Sequence, residues 1–238
     1  MFDPNKFVIR KARPLPVMLL LDVSSSMAGI KIDTVNNAVR SMLAEFSKSE
    51  DEIIVSIITF GNEVKLICPF TLATKINFVN LNAGGMTPMG CALRMAKDII
   101  EDRDKTPSRA YRPIIILISD GEPNDEWQSP LNKFISEGRS AKCDRMAMAI
   151  GVEANTAILN KFLIGTSNKL FEANQAHDIV NFFKKVTMTV TQLSQAKNIG
   201  AIKNTIPNTK ETFDPTTSYS IDGSTIPVDN QDDDESYF

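Results

Sequence analysis

The sequence predicts an α/β fold: a doubly wound, mainly parallel sheet with one antiparallel edge strand and helices on both faces. Two unbroken apolar runs, at 16–23 and 113–119, have the pattern of strands that are covered on both sides. Strand-like and helical segments alternate along the chain, which is typical of a parallel sheet with crossover helices. A turn signal at Gly61-Asn62 indicates a hairpin whose second strand lies at a sheet edge.

Each element in the first half follows from a local pattern. After the strand at 16–23, residues 30–47 carry apolar side chains at helical spacing, which predicts an amphipathic helix. A β-branched strand at 53–60 and its antiparallel partner at 64–70 come next. A glycine-rich loop at 82–90 then opens a second helix, with Pro88 expected in its first turn.

The second half repeats the alternation and then ends in a polar segment. After the strand at 113–119, the pattern predicts helices at 127–138, 156–163 and 175–195, with strands at 146–152 and 169–171. Residues 205–238 hold eight acidic residues against one lysine, and the apolar pattern is lost there. The predicted organisation is a leader at 1–12, a folded domain at 13–200 and a flexible, acidic, Ser/Thr-rich tail at 201–238.

Composition excludes several classes of protein. The chain has 238 residues and a net charge of -3, so it lacks the strongly basic balance of a nucleic-acid binder. No apolar run approaches the roughly 18 residues of a membrane span, and the N-terminus does not have the pattern of a signal peptide. Three dispersed cysteines predict small core residues and not a disulfide framework or a thiolate zinc site. We expect a cytoplasmic protein without a membrane or nucleic-acid partner.

Oxygen-bearing side chains follow the predicted strand ends. Asp22, Ser24 and Ser26 come at the end of the first strand, Thr87 lies in the glycine-rich loop, and Asp120 follows the strand at 113–119. Ligands of doubly wound sheets bind at this carboxyl edge. Carboxylate and hydroxyl oxygens suit Mg²⁺, Mn²⁺ or, less tightly, Ca²⁺, and do not suit zinc or copper. The sequence therefore predicts a divalent metal site.

A purely structural interpretation of the same residues is also open. Ser24 to Ser26 would then only cap the first helix, and Asp120 would only open a turn. This alternative does not account for Thr87 in a third loop. With two aspartates against a divalent ion, the site stays near neutral or positive, which leaves one position for a partner's carboxylate or for water.

The three pieces together resemble the metal-ion-dependent adhesion site of von Willebrand factor A domains. They are Asp22-x-Ser24-x-Ser26, Thr87 within Gly-Gly-Met-Thr-Pro, and Asp120 in Ser-Asp-Gly. The resemblance extends over about 15–193 and implies a Rossmann-like fold. It also implies that Ser24, Ser26 and Thr87 bind the metal through their hydroxyls, with Asp22 and Asp120 acting mostly through water. Ser25 stands where the family usually has glycine.

More narrowly, the chain is similar to the TerY-like bacterial A domains of tellurite-resistance and stress operons. The similarity is carried by Arg13-x-Leu15-Pro16-Val17, Ser26-Met27-Ala28-Gly29 and Asp120-Gly121-Glu122-Pro123-x-Asp125-x-Trp127. This subgroup implies partners such as a Ser/Thr kinase-like protein and a PP2C-like phosphatase. Met86, Asp125 and Trp127 are candidate residues of a partner-binding rim around the metal.

The function predicted from these residues is a metal-dependent interaction module, not an enzyme, in which an acidic partner side chain completes the Mg²⁺ shell. The main alternative is a Mg²⁺-dependent phosphohydrolase, but Ser24 stands where such enzymes need a second aspartate as general acid. A structural subunit whose metal only stiffens the loops is a third hypothesis. For the tail, competition for the metal in cis, phosphorylation and simple solubility all stay open.

Overall fold

The computed structural model describes residues 13–49 and 52–198, with side chains up to 195. In chain order the strands and helices are β1 (Leu15–Asp22), α1 (Ile30–Phe46), β2 (Ile53–Phe60), β3 (Val64–Leu72), α2 (Met89–Glu101), β4 (Ile114–Ser119), α3 (Gln128–Ser136), β5 (Asp144–Ile150), α4 (Thr156–Phe162), β6 (Phe171–Ala173) and α5 (Ala176–Asn198). The predicted leader at 1–12 and tail at 201–238 lie outside the described residues.

The six strands form one sheet in the order β3-β2-β1-β4-β5-β6. Every neighbouring pair is parallel except β2 and β3, which are antiparallel and place β3 at one edge. This confirms the predicted fold class. The strand order reverses between β1 and β4, so the two strands that precede Asp22 and Asp120 lie side by side at the switch point.

Strand β1 forms the centre of the sheet, and all eight of its residues are buried. Its side chains alternate between two apolar clusters, because successive residues of a strand point to opposite faces. Leu19 and Leu21 belong to the cluster under α1 and α5, whereas Met18 and Leu20 belong to the cluster under α2, α3 and α4. Burial on both faces explains why the sequence of β1 is apolar without alternation.

Several predicted bounds shift by a few residues. Strand β2 matches its prediction, but β5 covers Asp144–Ile150 where 146–152 was expected, because the buried Arg145 belongs to the strand. Strand β6 is Phe171–Ala173, where 169–171 was expected. Pro88 is the residue before helix α2 and not within its first turn. The errors fall at element ends, where the apolar pattern is weakest.

The cysteine prediction is correct for one residue of three. Cys143 is buried, whereas Cys68 and Cys91 are partly exposed, and none of the three forms a disulfide. Cys68 lies on the edge strand β3, which has one neighbouring strand instead of two. Among the described residues, no helix combines the length and the apolar character that crossing a membrane requires.

Candidate metal centre

Three loops at the carboxyl edge of the sheet carry the predicted site residues. The first follows β1 and contains a short helical turn at Ser25–Met27. The second is the glycine-rich loop that leads into α2, and the third begins directly after β4. The first and third loops are 94 residues apart at Ser26 and Asp120, and the position of β1 beside β4 brings them together.

Asp22 is fully buried at the end of β1, and both of its carboxylate oxygens accept hydrogen bonds from the protein. Oδ1 accepts from the amide of Ser24 at 2.8 Å, and Oδ2 accepts from the hydroxyl of Ser119 at 2.5 Å. Burial raises the pKa of Asp22; the bonds from Ser119 and Ser24 oppose that effect, and the charge of Asp120 adds to it. A nearby cation would stabilise the ionised form of this buried carboxyl.

A chain of hydroxyls connects the first loop to the third. The Oγ atoms of Ser24 and Ser26 are 2.9 Å apart, and the hydroxyl of Ser26 donates to Oδ1 of Asp120 at 2.7 Å. Ser24 and Asp120 are buried, whereas Ser26 is exposed. The structure therefore brings two of the predicted hydroxyls and one predicted carboxylate into a single hydrogen-bonded set.

The hydroxyl of Thr87, on the second loop, lies close to this set. The position that a Cβ on Gly121 would take is 3.8 Å from Oγ of Ser26 and 3.8 Å from Oγ1 of Thr87. The two hydroxyls thus converge on the backbone that follows Asp120. The Thr87 amide donates to the Asn124 side chain at 2.9 Å, and its carbonyl accepts from the Asn124 amide at 3.1 Å. These bonds fix the second loop to the third.

The glycine-rich loop is also fixed to the first loop through its backbone. The amide of Ser25 donates to the carbonyl of Gly85 at 3.0 Å, and the amide of Gly84 donates to the carbonyl of Val23 at 2.7 Å. Gly85 has a φ of 85°, and a Cβ there would lie 2.3 Å from the backbone nitrogen of Asn62. Only glycine fits this position, because both the backbone conformation and the space exclude a side chain.

Two further site residues were not predicted from the sequence. Lys31, in the first turn of α1, donates from Nζ to Oδ2 of Asp120 at 2.5 Å. Ser119 holds the second oxygen of Asp22 from the neighbouring strand. A signal for Lys31 was available, since a lysine at the positive N-terminal end of a helix is unfavourable unless a carboxylate compensates it. Ser119 is a polar residue in a buried strand and needs a partner for the same kind of reason.

The three predicted rim residues have different environments. Met86 is 64% exposed next to Thr87. Asp125 accepts from the amides of Gly90 and Cys91 at 2.9 and 2.8 Å, so its carboxylate caps the start of α2. Trp127 is partly buried against the apolar cluster under α2, α3 and α4. Of the three, Met86 is the exposed one, whereas Asp125 and Trp127 have structural contacts, and their role in a partner-binding rim stays a prediction.

A cavity of about 350 Å³ with mixed polar and apolar walls lies beside the glycine-rich loop. The turn between β2 and β3 and the segment before the loop form its walls, which include Asn62, Lys65, Asn80 and Asn82. Amide and ammonium groups of this kind offer hydrogen bonds to a polar ligand. The cavity extends the polar surface at the carboxyl edge beyond the five predicted ligands.

The donor chemistry fits a hard divalent cation. Among the described residues, no group of three or more His, Cys, Asp and Glu side chains converges, so a nitrogen or sulfur site is absent from this part of the chain. The oxygen set instead combines two carboxylates with three hydroxyls, the donor types that Mg²⁺ and Mn²⁺ accept. Asp120 already binds a cationic group, the ammonium of Lys31.

Fold and site together define a class of protein, and the family comparison identifies it. Residues 17–185 match the family model of the von Willebrand factor type A domain, so this chain belongs to that family. The match confirms the resemblance that the sequence motifs indicated. The TerY-like subgroup is not tested by this match and stays a prediction.

Curated relatives and solved structures share this domain. Human inter-alpha-trypsin inhibitor heavy chain H6 is 22% identical over 80% of this chain, which spans only 16% of that protein. A von Willebrand factor type A structure from Catenulispora acidiphila has a TM-score of 0.59 at 18% identity, covering 76% of this chain and 43% of that chain. Proximal thread matrix protein 1 from the mussel byssus, solved with a zinc-occupied MIDAS motif, has a TM-score of 0.59 at 16% identity. The match covers 74% of this chain and 48% of that chain. At these identities the structures show the fold alone.

Proposed function

We propose that this chain is a metal-dependent interaction module that binds an acidic side chain of a protein partner through a divalent cation, Mg²⁺ in the first instance. Ser24, Ser26 and Thr87 would hold the cation through their hydroxyls. Asp22 and Asp120 would act mostly through water. When bound, the cation supplies an electrophilic centre that attracts a carboxylate. The observation that carries the proposal is the convergence of hydroxyl and carboxylate oxygens from three separate loops.

The chain's own residues have distinct tasks in this proposal. Asp22 orients the first loop, because its Oδ1 holds the backbone amide of Ser24. Asp120 orients the hydroxyl of Ser26. Asn124 bonds to both the amide and the carbonyl of Thr87 and so fixes the backbone that carries this hydroxyl. A mussel relative with a zinc-occupied MIDAS motif supports the expectation that the family's site takes a divalent metal.

The environment of Asp22 argues against the phosphohydrolase alternative. A carboxylate that attacks a phosphoryl group needs a free oxygen that reaches the substrate. Both oxygens of Asp22 accept hydrogen bonds inside the protein, and the side chain is fully buried. The family relatives, inter-alpha-trypsin inhibitor heavy chains and a collagen chain among them, also favour a binding role over catalysis.

A finer form of the proposal places the chain in a TerY-like bacterial stress or tellurite-resistance system in the cytoplasm. It rests on the sequence cues around Arg13, Met27 and Glu122. The partners would then include a Ser/Thr kinase-like protein and a PP2C-like phosphatase. Recovery of such proteins with this chain in Mg²⁺, and their loss with a chelator, would support this finer form.

The serine triplet after Asp22 supplies a matched test of the site. Ser26→Ala removes a hydroxyl that contacts Asp120, whereas Ser25→Ala removes an exposed hydroxyl between the two predicted ligands. Calorimetric titration of Mg²⁺ or Mn²⁺ should show binding by wild type and by Ser25→Ala. Ser26→Ala and Thr87→Ala should bind at least about tenfold more weakly, since each loses a ligand.

Thermal unfolding without metal provides the control, because all three variants should unfold within a few degrees of wild type. Equal metal affinity in Ser26→Ala, Thr87→Ala and wild type would remove the site assignment. Absence of binding in every protein would remove the proposed function.

A further inference from the structure

Lys31 brings a positive charge into the cluster of predicted ligands. Its ammonium pairs with Oδ2 of Asp120 at 2.5 Å, while Oδ1 of the same carboxylate holds Ser26. Among the described residues, it is the cation that forms an ion pair with a carboxylate of the site. Without metal, the two aspartates and this one lysine leave a single negative charge.

The exposure of the two partners differs, and this difference decides which one can move. The side chain of Asp120 is fully buried, whereas that of Lys31 is 36% exposed. The Lys31 side chain passes the backbone of Gly151, where the position of an added Cβ would be 3.6 Å from Nζ. A half-exposed lysine has a long, flexible side chain that can rotate into the solvent. Asp120 cannot follow, because it is buried and bonded to Ser26.

The position of Lys31 in its helix points to the same contact. It lies in the first turn of α1, where the helix presents the positive end of its dipole. The helix does not favour an ammonium there, so the pairing with Asp120 is what compensates the charge. The Lys31 ammonium is therefore stabilised by Asp120 and not by the dipole of its own helix.

From these contacts we infer that Lys31 is a tethered competitor for the cation position: its ammonium neutralises Asp120 in the metal-free protein, and a divalent ion must displace or repel it. This inference rests on the proposed function and adds a residue that sets the metal affinity. The lysine reduces the metal-free cluster to a single negative charge, so a bound cation must compete with the Lys31 ammonium for Asp120. Removing that charge strengthens the attraction of the two carboxylates for metal.

The first experiment titrates Mg²⁺ and Mn²⁺ calorimetrically into the full chain. Lys31→Met keeps the length of the side chain and removes its charge, and we expect it to bind about tenfold more tightly than wild type. Lys31→Arg keeps the charge and should bind like wild type. Lys133→Met, on an exposed face of α3, makes the same change in net charge away from the site and should also bind like wild type.

The second experiment follows Lys31 itself in the wild-type chain. The rate at which an amine-specific reagent modifies Lys31, measured by mass spectrometry, should rise when Mn²⁺ is added, because the ammonium is released from Asp120. The rate at Lys133 should not change. A Lys31 rate that is unaffected by saturating Mn²⁺ would contradict displacement.

The outcomes separate this inference from the proposed function. Equal or weaker metal binding by Lys31→Met, with binding retained in wild type, overturns the inference and leaves the proposed function intact. Tighter binding by Lys31→Met than by wild type, with Lys31→Arg and Lys133→Met unchanged, supports both. No binding by any of the proteins, including Lys31→Met, overturns the proposed function and the inference with it.

Discussion

The amino and carboxyl edges of the sheet both contain buried or half-buried charged groups, but these groups have different kinds of hydrogen-bond partner. At the amino edge, Arg145 and Glu101 bond mainly to backbone groups. At the carboxyl edge, Asp22 and Asp120 bond mainly to hydroxyls and to the ammonium of Lys31. A backbone group of a folded segment keeps its hydrogen bond to the charged group. A side-chain partner can rotate away and so free the charged group to bind a ligand. The contacts at the amino edge therefore stabilise the fold, whereas those at the carboxyl edge can be exchanged for contacts with a ligand.

The amino edge shows how completely backbone groups can satisfy a charge. The Arg145 guanidinium is buried and donates to the carbonyls of Phe162 and Ile164 at 2.8 and 2.6 Å. The Glu101 carboxylate accepts from the amides of Arg139 and Ser140. Each charged group therefore joins segments that are distant in sequence, and neither presents an oxygen or nitrogen cluster to a ligand.

The largest effect on stability is expected at Gly85, which holds the carboxyl edge together. Gly85→Ala should lower the free energy of unfolding by about 4 kcal/mol, since a left-handed residue costs roughly 1–2 and overpacking roughly 1–3. Gly29→Ala is the control: its φ is 77°, but no atom lies within 4 Å of the added Cβ. With a ψ of -133° Gly29 lies outside the left-handed helical region, in backbone that strains other residues, so the loss should be about 2 kcal/mol from the backbone alone. Urea unfolding measures both, and equal losses would show that space at Gly85 does not matter.

At the amino edge, Arg145→Met should lower the free energy of unfolding by about 3 kcal/mol, because buried carbonyls lose a charged donor. Arg112→Met removes an exposed arginine whose ion pair to Asp144 is 3.6 Å long, and it should change stability by less than about 0.5 kcal/mol. Metal binding by Arg145→Met should match wild type under conditions where it is folded. A large loss of metal affinity there would break the distinction between the two edges.

The smallest effect concerns Glu101 and depends on pH. Burial acts to raise the pKa of this carboxyl, but hydrogen bonds from the Arg139 and Ser140 amides and from Lys97 lower it by more. Because the folded pKa is depressed, the stabilisation is present above the unfolded pKa of about 4.3 and is lost as the pH falls through the folded value.

Glu101→Gln should therefore lower the free energy of unfolding by about 1 kcal/mol at neutral pH, a modest value because the group is partly exposed. Its difference from wild type should shrink as the pH falls below the unfolded pKa and through the lower pKa of folded Glu101, because the wild-type carboxylate then becomes protonated. Asp104→Asn, on the exposed loop after α2, removes one acidic side chain away from the Arg139 and Ser140 amides and is the control for the change in net charge. A difference that grows at low pH would contradict the sign of the pKa shift.

The sequence was informative about the fold wherever the apolar pattern dominated. Strand β2 was predicted with its observed bounds, and the antiparallel edge strand was predicted from a single turn. Strand β5 was placed too late because Asp144 and Arg145 are charged. The partners that make Arg145 a strand residue are carbonyls 17 and 19 positions away, which no local pattern contains.

The candidate site was predictable to the extent that its residues follow strand ends. Asp22, Ser24, Ser26, Thr87 and Asp120 could be grouped because parallel strands present their carboxyl ends at one edge. Lys31 was not predicted as a site residue, because helical periodicity assigns such a lysine to a solvated face. Asp125 was assigned to the rim from its sequence position beside Asp120, but its carboxylate turns toward the amides that begin α2.

The position of β4 beside β1 also fixes when the site can form. Asp22 and Ser119 are bonded although 97 residues separate them, and Ser26 and Asp120 are bonded across 94. Contacts of such long sequence separation close late in folding, because a large loop must first be ordered. A chain under synthesis exposes its serines well before the carboxylate that orders them has been made. Until β4 docks beside β1, the hydroxyl of Ser26 lacks its acceptor on Asp120.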